Sequence, residues 1–182
     1  MEILATKFND VKLFIPAVYR DDRGYFTESY NQKIQDELNV TFLQDNHSKS
    51  KQYVIRGLHY QWDKPMGKLL RVVSGAGIDV IVDIRKNSPT YGEHQSFKLT
   101  DKNFNMLWVP PGFAQGFLAL EKDTHLCYKT TALHNGSAES SIHPIESGLD
   151  INWSIPDKAI LLSEKDKTAQ TFNDYKKDPK FL

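Results

Sequence analysis

The sequence predicts an all-β sandwich or barrel. Apolar residues recur with period two or in short runs, Gly, Pro and Asn interrupt those runs at short intervals, and helical periodicity is scarce. In chain order, Gly67–Ser74, Gly77–Arg85, His94–Leu99, Asn105–Val109 and Leu126–Leu133 read as strands. Turn residues separate them at Ser74–Gly77, Asn87–Pro89, Asp101–Asn103 and Pro110–Gly112. Within Gly77–Arg85, the residues Ile78, Val80, Val82 and Ile84 make one wholly apolar face. The other face carries Asp79, Ile81, Asp83 and Arg85, a mixture expected where a sheet borders a cavity or a second sheet. A short helix is predicted over Asn31–Leu38, where Asn31 can cap and Ile34 and Leu38 stand four apart. A second is predicted over Thr168–Tyr175. Ser141–Asp150 reads as a surface connection and Tyr175–Pro179 as a solvated tail. There is no repeat, low-complexity tract or linker, so residues 1–182 read as one domain.

Composition narrows the partners. The 182 residues include 40% hydrophobic and 25% charged side chains, enough apolar material for a core and too much for disorder. The 23 basic and 23 acidic residues cancel, so no global field points to nucleic acid or a membrane surface. A local anion site needs only two or three cations and stays open. The single cysteine, Cys127, excludes an intramolecular disulfide and a cysteine metal cluster, and its apolar neighbours suggest a buried structural thiol. The N-terminus lacks a charged region followed by an apolar run, and no stretch approaches ~18 apolar residues. The expectation is a soluble cytoplasmic protein.

Two clusters could carry chemistry. The first spans Gln44 to Lys68 and holds Gln44–Ser48, Arg56–Gln61 and Gly67–Lys68. Arg, His and Lys in so short a stretch suit an acid/base site that also binds an anion. On a regular strand Arg56 and His59 fall on opposite faces, unless Gly57 permits a bulge. By spacing alone, His59 reads equally well as a satisfied core histidine. The second cluster, Trp108–Phe117, has two prolines and two glycines that force a rigid, aromatic-lined turn. It suits a pocket wall or a plug at a barrel end.

The metal question follows from ligand chemistry. Metal-binding cupins place two His in an H-x-H and a third after a P-x-G turn. Here His59 is followed by Gln61, and Gln115 stands where the third His would be. Amides are poor ligands for a transition metal. No metal and no other cofactor is expected.

These motifs together resemble the dTDP-4-dehydrorhamnose 3,5-epimerase family of the cupin superfamily. The resemblance runs from about Phe14 to Asp166 through Arg23–Glu28, Gln44–Ser48, Arg56–Gln61, Gly67–Lys68, Val82–Arg85, Ser88–Gly92, Pro111–Ala114, Tyr128–Lys129 and Leu162–Asp166. Any one is weak; their order is specific. It implies a double-stranded β-helix (jelly-roll) barrel with a few short peripheral helices. It implies a thymidine-diphosphate 4-keto-6-deoxy sugar as substrate, epimerised at the two carbons beside the ketone. His59 matches the family's base, an imidazole being suited to removing a proton whose loss gives an enolate. Asp166 matches the partner that orients it. Lys68 matches the cation at the ketone oxygen. Tyr128 matches the acid that returns a proton to the opposite face.

The resemblance also assigns binding residues. Arg56 matches a contact to diphosphate or sugar. Arg23, Glu28, Gln44, Asn46 and Glu139 match nucleotide and sugar contacts, and Phe26 lines the base-binding region. Some of these come from the neighbouring subunit of a homodimer with strand exchange. Two positions depart from the pattern. Gln115 replaces the usual His; it can bond a sugar hydroxyl but takes up no proton. His134 replaces a Tyr that stacks on thymine, and offers less area for stacking. The competing readings are a mono-epimerase acting at C3 or C5 only on a related nucleotide keto sugar, and a non-catalytic sugar-nucleotide-binding cupin.

Overall fold

The mixed face of Gly77–Arg85 turns inward and its apolar face turns outward, and this organises the molecule. The computed structural model describes residues 1–155 and 159–182. The strand pairs are antiparallel and form two sheets and a separate hairpin. The six-stranded sheet has the order β1 (Glu2–Leu4), β2 (Lys12–Ile15), β10 (Met106–Val109), β7 (Lys68–Ser74), β12 (Thr124–Thr130), β5 (Gln44–Ser50). The five-stranded sheet has the order β13 (Glu139–Ser141), β6 (Ile55–Gln61), β11 (Phe113–Ala119), β8 (Ala76–Asp83), β9 (His94–Thr100). β3 (Val18–Asp21) and β4 (Gly24–Thr27) form the hairpin. The predicted all-β barrel is therefore present, and all five predicted strands are found as β7, β8, β9, β10 and β12.

Between the sheets lies a core built from Leu70, Val72, Leu107, Val109 and Leu126 on one side and Ile81, Phe97, Phe113 and Phe117 on the other. Outside the five-stranded sheet, Val80, Val82 and Ile84 from the apolar face of β8 pack under Ile142, Trp153, Phe172 and Tyr175. Outside the six-stranded sheet, Leu69, Met106 and Trp108 receive Ile34 from α1 (Gln32–Leu38). Asn31 caps α1 by accepting from the Ile34 amide, as predicted, and Asn39 ends it in the left-handed region.

Several expectations need correction. The rigid turn is confined to Pro110–Gly112, because Phe113–Ala119 is the wholly buried strand β11. Of the helix predicted over Thr168–Tyr175 only the last turn forms, as α3 (Phe172–Tyr175); α2 (Glu164–Lys167) lies before that range, and between the two Gln170 bridges to Ile142. Ser141–Asp150 is only partly a surface connection, since Ser141, Ile142, His143 and Pro144 are buried under the sheet. The tail is docked: Phe181 bridges to Arg85, and the Lys86 amide donates to the Phe181 carbonyl at 2.9 Å. Cys127 is half-buried rather than buried, and burial pushes its thiol up. Among the described residues, no helix is long and apolar enough to cross a membrane.

Candidate active site

The parity conflict between Arg56 and His59 is resolved by a bulge at Gly57. In the ladder to β11, Arg56 pairs with Phe117 and His59 with Gln115, so two residues of β6 lie opposite one of β11. Gly57 has φ +130°, and a Cβ there would stand 2.5 Å from the Gly116 Cα and 2.7 Å from the Gln115 carbonyl oxygen. Only glycine fits, and the extra residue brings Arg56 and His59 to the same cavity.

That cavity, about 440 Å³, lies between the sheets and is of small-ligand size. β5 contributes Gln44 and Asn46, alternate residues on its inward face, and β6 contributes Arg56 and His59. Lys68 comes from the start of β7, Gln115 from β11 and Tyr128 from β12. His134 and Glu139 close the mouth. Arg23 and Phe26 lie elsewhere, on the β3–β4 hairpin around a separate surface cleft. Glu28 accepts a hydrogen bond from Asn31 at 2.6 Å and does not line the cavity.

Within the cavity, His59 Nε2 donates to Asp166 Oδ1 at 2.7 Å. This leaves Nδ1 without a hydrogen-bond partner among the described residues, in the tautomer able to accept a proton. Asp166 sits in α2 with its carboxyl only 4% exposed, and Ser163 both caps the helix and donates to Asp166 Oδ2 at 2.8 Å. Burial opposes ionisation of Asp166, but the bonds from His59 and Ser163 outweigh it and hold the carboxyl below its ordinary range. A fixed anion behind an imidazole orients the ring and stabilises the imidazolium formed on proton uptake.

The opposite wall comes from the six-stranded sheet. Burial pushes the Tyr128 phenol up, with Glu139 adding and Arg56 opposing, so it holds its proton near neutrality. Burial pushes the Lys68 ammonium down, opposed by Asp79 and Glu139. Arg56 is braced on β5 by bonds to Ser50 Oγ (3.0 Å) and the Lys49 carbonyl (3.2 Å). At the mouth, Glu139 accepts from Lys165 and lies 3.5 Å from His134 Nε2. Burial raises the Glu139 carboxyl, but Lys165 and His59 together hold it below its ordinary value.

Both glutamines at cupin ligand positions are engaged as structural clamps. Gln61 donates to the Lys64 and Leu133 carbonyls and accepts from the Asn135 amide, tying loops together. Gln115 is 7% exposed and has both amide ends occupied, its oxygen by Lys68 at 2.9 Å and its nitrogen by Asp79 at 2.7 Å. Asp79 is the site residue that reading for motifs missed. Its signal was a carboxylate in the middle of a buried, mostly apolar strand, with Asp83 the other at the strand's end. Among the described residues, no three His, Cys, Asp or Glu side chains stand where they could hold a metal ion.

Comparison with known proteins places this arrangement. The family model described as dTDP-4-dehydrorhamnose 3,5-epimerase matches residues 5–174. The chain is 45% identical to the dTDP-4-dehydrorhamnose 3,5-epimerase of Pseudomonas aeruginosa, over 91% of this chain and 92% of that one. It is 43% identical to the enzyme of the same name from Shigella flexneri, over 96% and 97%. The crystal structure of the Legionella pneumophila dTDP-6-deoxy-D-glucose-3,5-epimerase in complex with dTDP-4-keto-L-rhamnose superposes with a TM-score of 0.90 at 38% identity, covering 94% of this chain and 93% of that one. The chain belongs to the dTDP-4-dehydrorhamnose 3,5-epimerase family.

Proposed function

We propose that this protein inverts C3 and C5 of dTDP-4-dehydro-6-deoxyglucose to give dTDP-4-dehydro-L-rhamnose, an isomerase step of rhamnose biosynthesis. One observation carries the reading: His59, held by Asp166 from α2, and the Tyr128 phenol line the same cavity from opposing sheets, and Lys68 lines it as well. The C–H bonds beside a ketone are the acidic ones. His59 removes such a proton, the electron pair moves into the ring as an enolate, and Lys68 faces the oxygen that gains the charge. Tyr128 delivers a proton to the opposite face, which is what inversion requires; a base alone would only exchange the proton. Arg56, across from Tyr128, favours the phenolate left behind. Gln44, Asn46, Arg56 and Glu139 are assigned to the diphosphate and sugar, and His134 to the nucleobase edge. The chemistry needs neither metal nor cofactor.

The β3–β4 hairpin supports a homodimer. Tyr19, Tyr25 and Phe26 are 65%, 55% and 63% exposed on this small element. Large aromatic side chains held in water at such a density mark an interaction surface. In the proposed dimer the hairpin serves the partner's cavity, supplying Arg23 and Phe26, and Glu28 at its base. Sedimentation equilibrium is expected to give twice the chain mass; a monomer at assay concentration would remove the hairpin from the site.

The catalytic reading is tested in deuterated buffer. The Tyr128 proton exchanges with solvent before delivery, so each inverted carbon takes one deuterium. Proton NMR of the product is expected to show deuterium at both C3 and C5. Incorporation at neither carbon sinks the proposal, and incorporation at one selects a mono-epimerase.

A further inference from the structure

Lys68 does not stand alone. Its ammonium donates to Gln115 Oε1 at 2.9 Å, and Gln115 Nε2 donates to Asp79 Oδ2 at 2.7 Å, so one chain of hydrogen bonds crosses from the six-stranded sheet to the five-stranded sheet. The amide cannot reverse, because reversal would turn its N–H groups onto the ammonium and its oxygen onto the carboxyl. Asp79 is 0% exposed, and its second oxygen, Oδ1, has no hydrogen-bond partner among the described residues. Its ladder neighbours across β8 are Phe117 on β11 and Phe97 on β9. A carboxylate buried against phenyl rings with one donor is poorly solvated; a carboxylic acid with its proton on Oδ1 costs far less.

We propose that Asp79 and Gln115 are positioning residues of the epimerisation, a proton-bearing acid and a fixed amide that hold the Lys68 ammonium at the ketone with its whole charge available. This rests on the reading of Lys68 as the group that stabilises the enolate. It also gives the Gln115 replacement a role: an amide transmits position without titrating, where an imidazole would exchange protons with both neighbours.

The electrostatics agree with the geometry. Burial raises Asp79 to about 8, against the opposing pull of Gln115 and Lys68. Lys68, across the amide, is the charged group that acts on Asp79; Glu139 on β13 acts on Lys68 in turn. Below about 8 Asp79 carries its proton, and Lys68 is the one net charge of the relay. Above that pH the ionised Asp79 offsets part of the Lys68 field at the ketone, so kcat falls. The same ionisation favours protonated Lys68 and so opposes loss of the ammonium.

Asp79→Asn separates these cases. Asparagine imitates the protonated acid: its oxygen accepts from Gln115, and its amide nitrogen takes the place of the O–H. The alkaline limb of the kcat profile is expected to move up by at least about one pH unit in this variant. A limb that stays, or that moves down as it would if an ionised Asp79 were the counter-ion of Lys68, overturns the proposal. Gln115→Met, which bonds neither neighbour, is expected to lower kcat by roughly 10²-fold with KM little changed, the scale of a misplaced catalytic group. Unchanged kcat in that variant also overturns it.

A turnover-free measurement isolates the relay from the proposed activity. In protein labelled with 13C at aspartate carboxyls, one resonance is expected to titrate near 8, to be missing from Asp79→Asn, and to move upward in Gln115→Met, where the amide bond that lowers it is gone. Absence of such a resonance disproves the proton-bearing Asp79 even in an active enzyme. Its presence in a protein inactive on the keto sugar would instead count against the substrate reading.

Discussion

Alanine at His59 is expected to lower kcat by roughly 10²–10⁴-fold, the usual contribution of a positioned general base, while KM for the nucleotide sugar changes little. The split follows from geometry. His59 lines the cavity, but its ordered bond is to Asp166 at 2.7 Å, and Arg56, Gln44 and Asn46 remain to hold the diphosphate and sugar. The variant should also lose deuterium exchange at both carbons, because without proton removal no enolate forms for Tyr128 to protonate. That separates the base from the acid: loss of the acid alone would leave exchange intact and abolish only inversion. Folding should survive, since the His59 side chain is 25% exposed and Asp166 keeps its bond from Ser163. Asp166 would lose the largest effect holding its carboxyl down, so the stability it contributes above its ordinary pKa would shrink. Turnover within about tenfold of the parent, measured by NMR on folded protein, would show that some other group takes the proton.

Which parts of this site were legible in the sequence follows from the range of the interactions involved. The cluster from Gln44 to Lys68 is local, so its chemistry could be read directly, and the Arg56–His59 parity conflict even pointed to a bulge at Gly57. The inward and outward faces of β8 were legible because strand geometry alternates strictly. The His59–Asp166 contact was not, because its partners are 107 residues apart and meet only when the C-terminal segment packs against β6. Only family resemblance supplied that pair. β11 escaped for another reason: it is buried along its whole length, so Phe113–Ala119 shows no alternation, and the prolines and glycine before it look like the start of a loop. The burial of Ile142 was hidden in the same way, since the segment that carries it over the outer face of β8, beside α3, is irregular chain with no period to detect. Asp79 lay in plain view on the mixed face. Its importance came from Gln115, which spacing alone placed in a turn.

Lys68→Met is expected to lower kcat by roughly 10²–10³-fold, the scale for removing one group that stabilises a developing oxyanion, again with a small change in KM. Methionine keeps the length and much of the volume of the side chain and deletes the charge. The ketone of the bound substrate is neutral and the enolate is not, so the interaction with Lys68 strengthens mainly as the proton leaves, and such interactions raise kcat rather than tighten binding. The ammonium is also held at a cost, since burial pushes it down and its charge is favoured by Glu139 and, once ionised, by Asp79. Removing it should therefore leave thermal stability unchanged or slightly raised, and a large loss of rate in a protein at least as stable as the parent is hard to explain by misfolding. The loss should also be largely non-additive with Gln115→Met, because the relay acts only through the ammonium that Lys68→Met deletes. A double variant slower than Lys68→Met by the full factor of the Gln115 change would show that Gln115 contacts the substrate in its own right. A kcat loss under tenfold in Lys68→Met alone would mean the enolate oxygen is stabilised elsewhere in the cavity, where Arg56 also lines the wall.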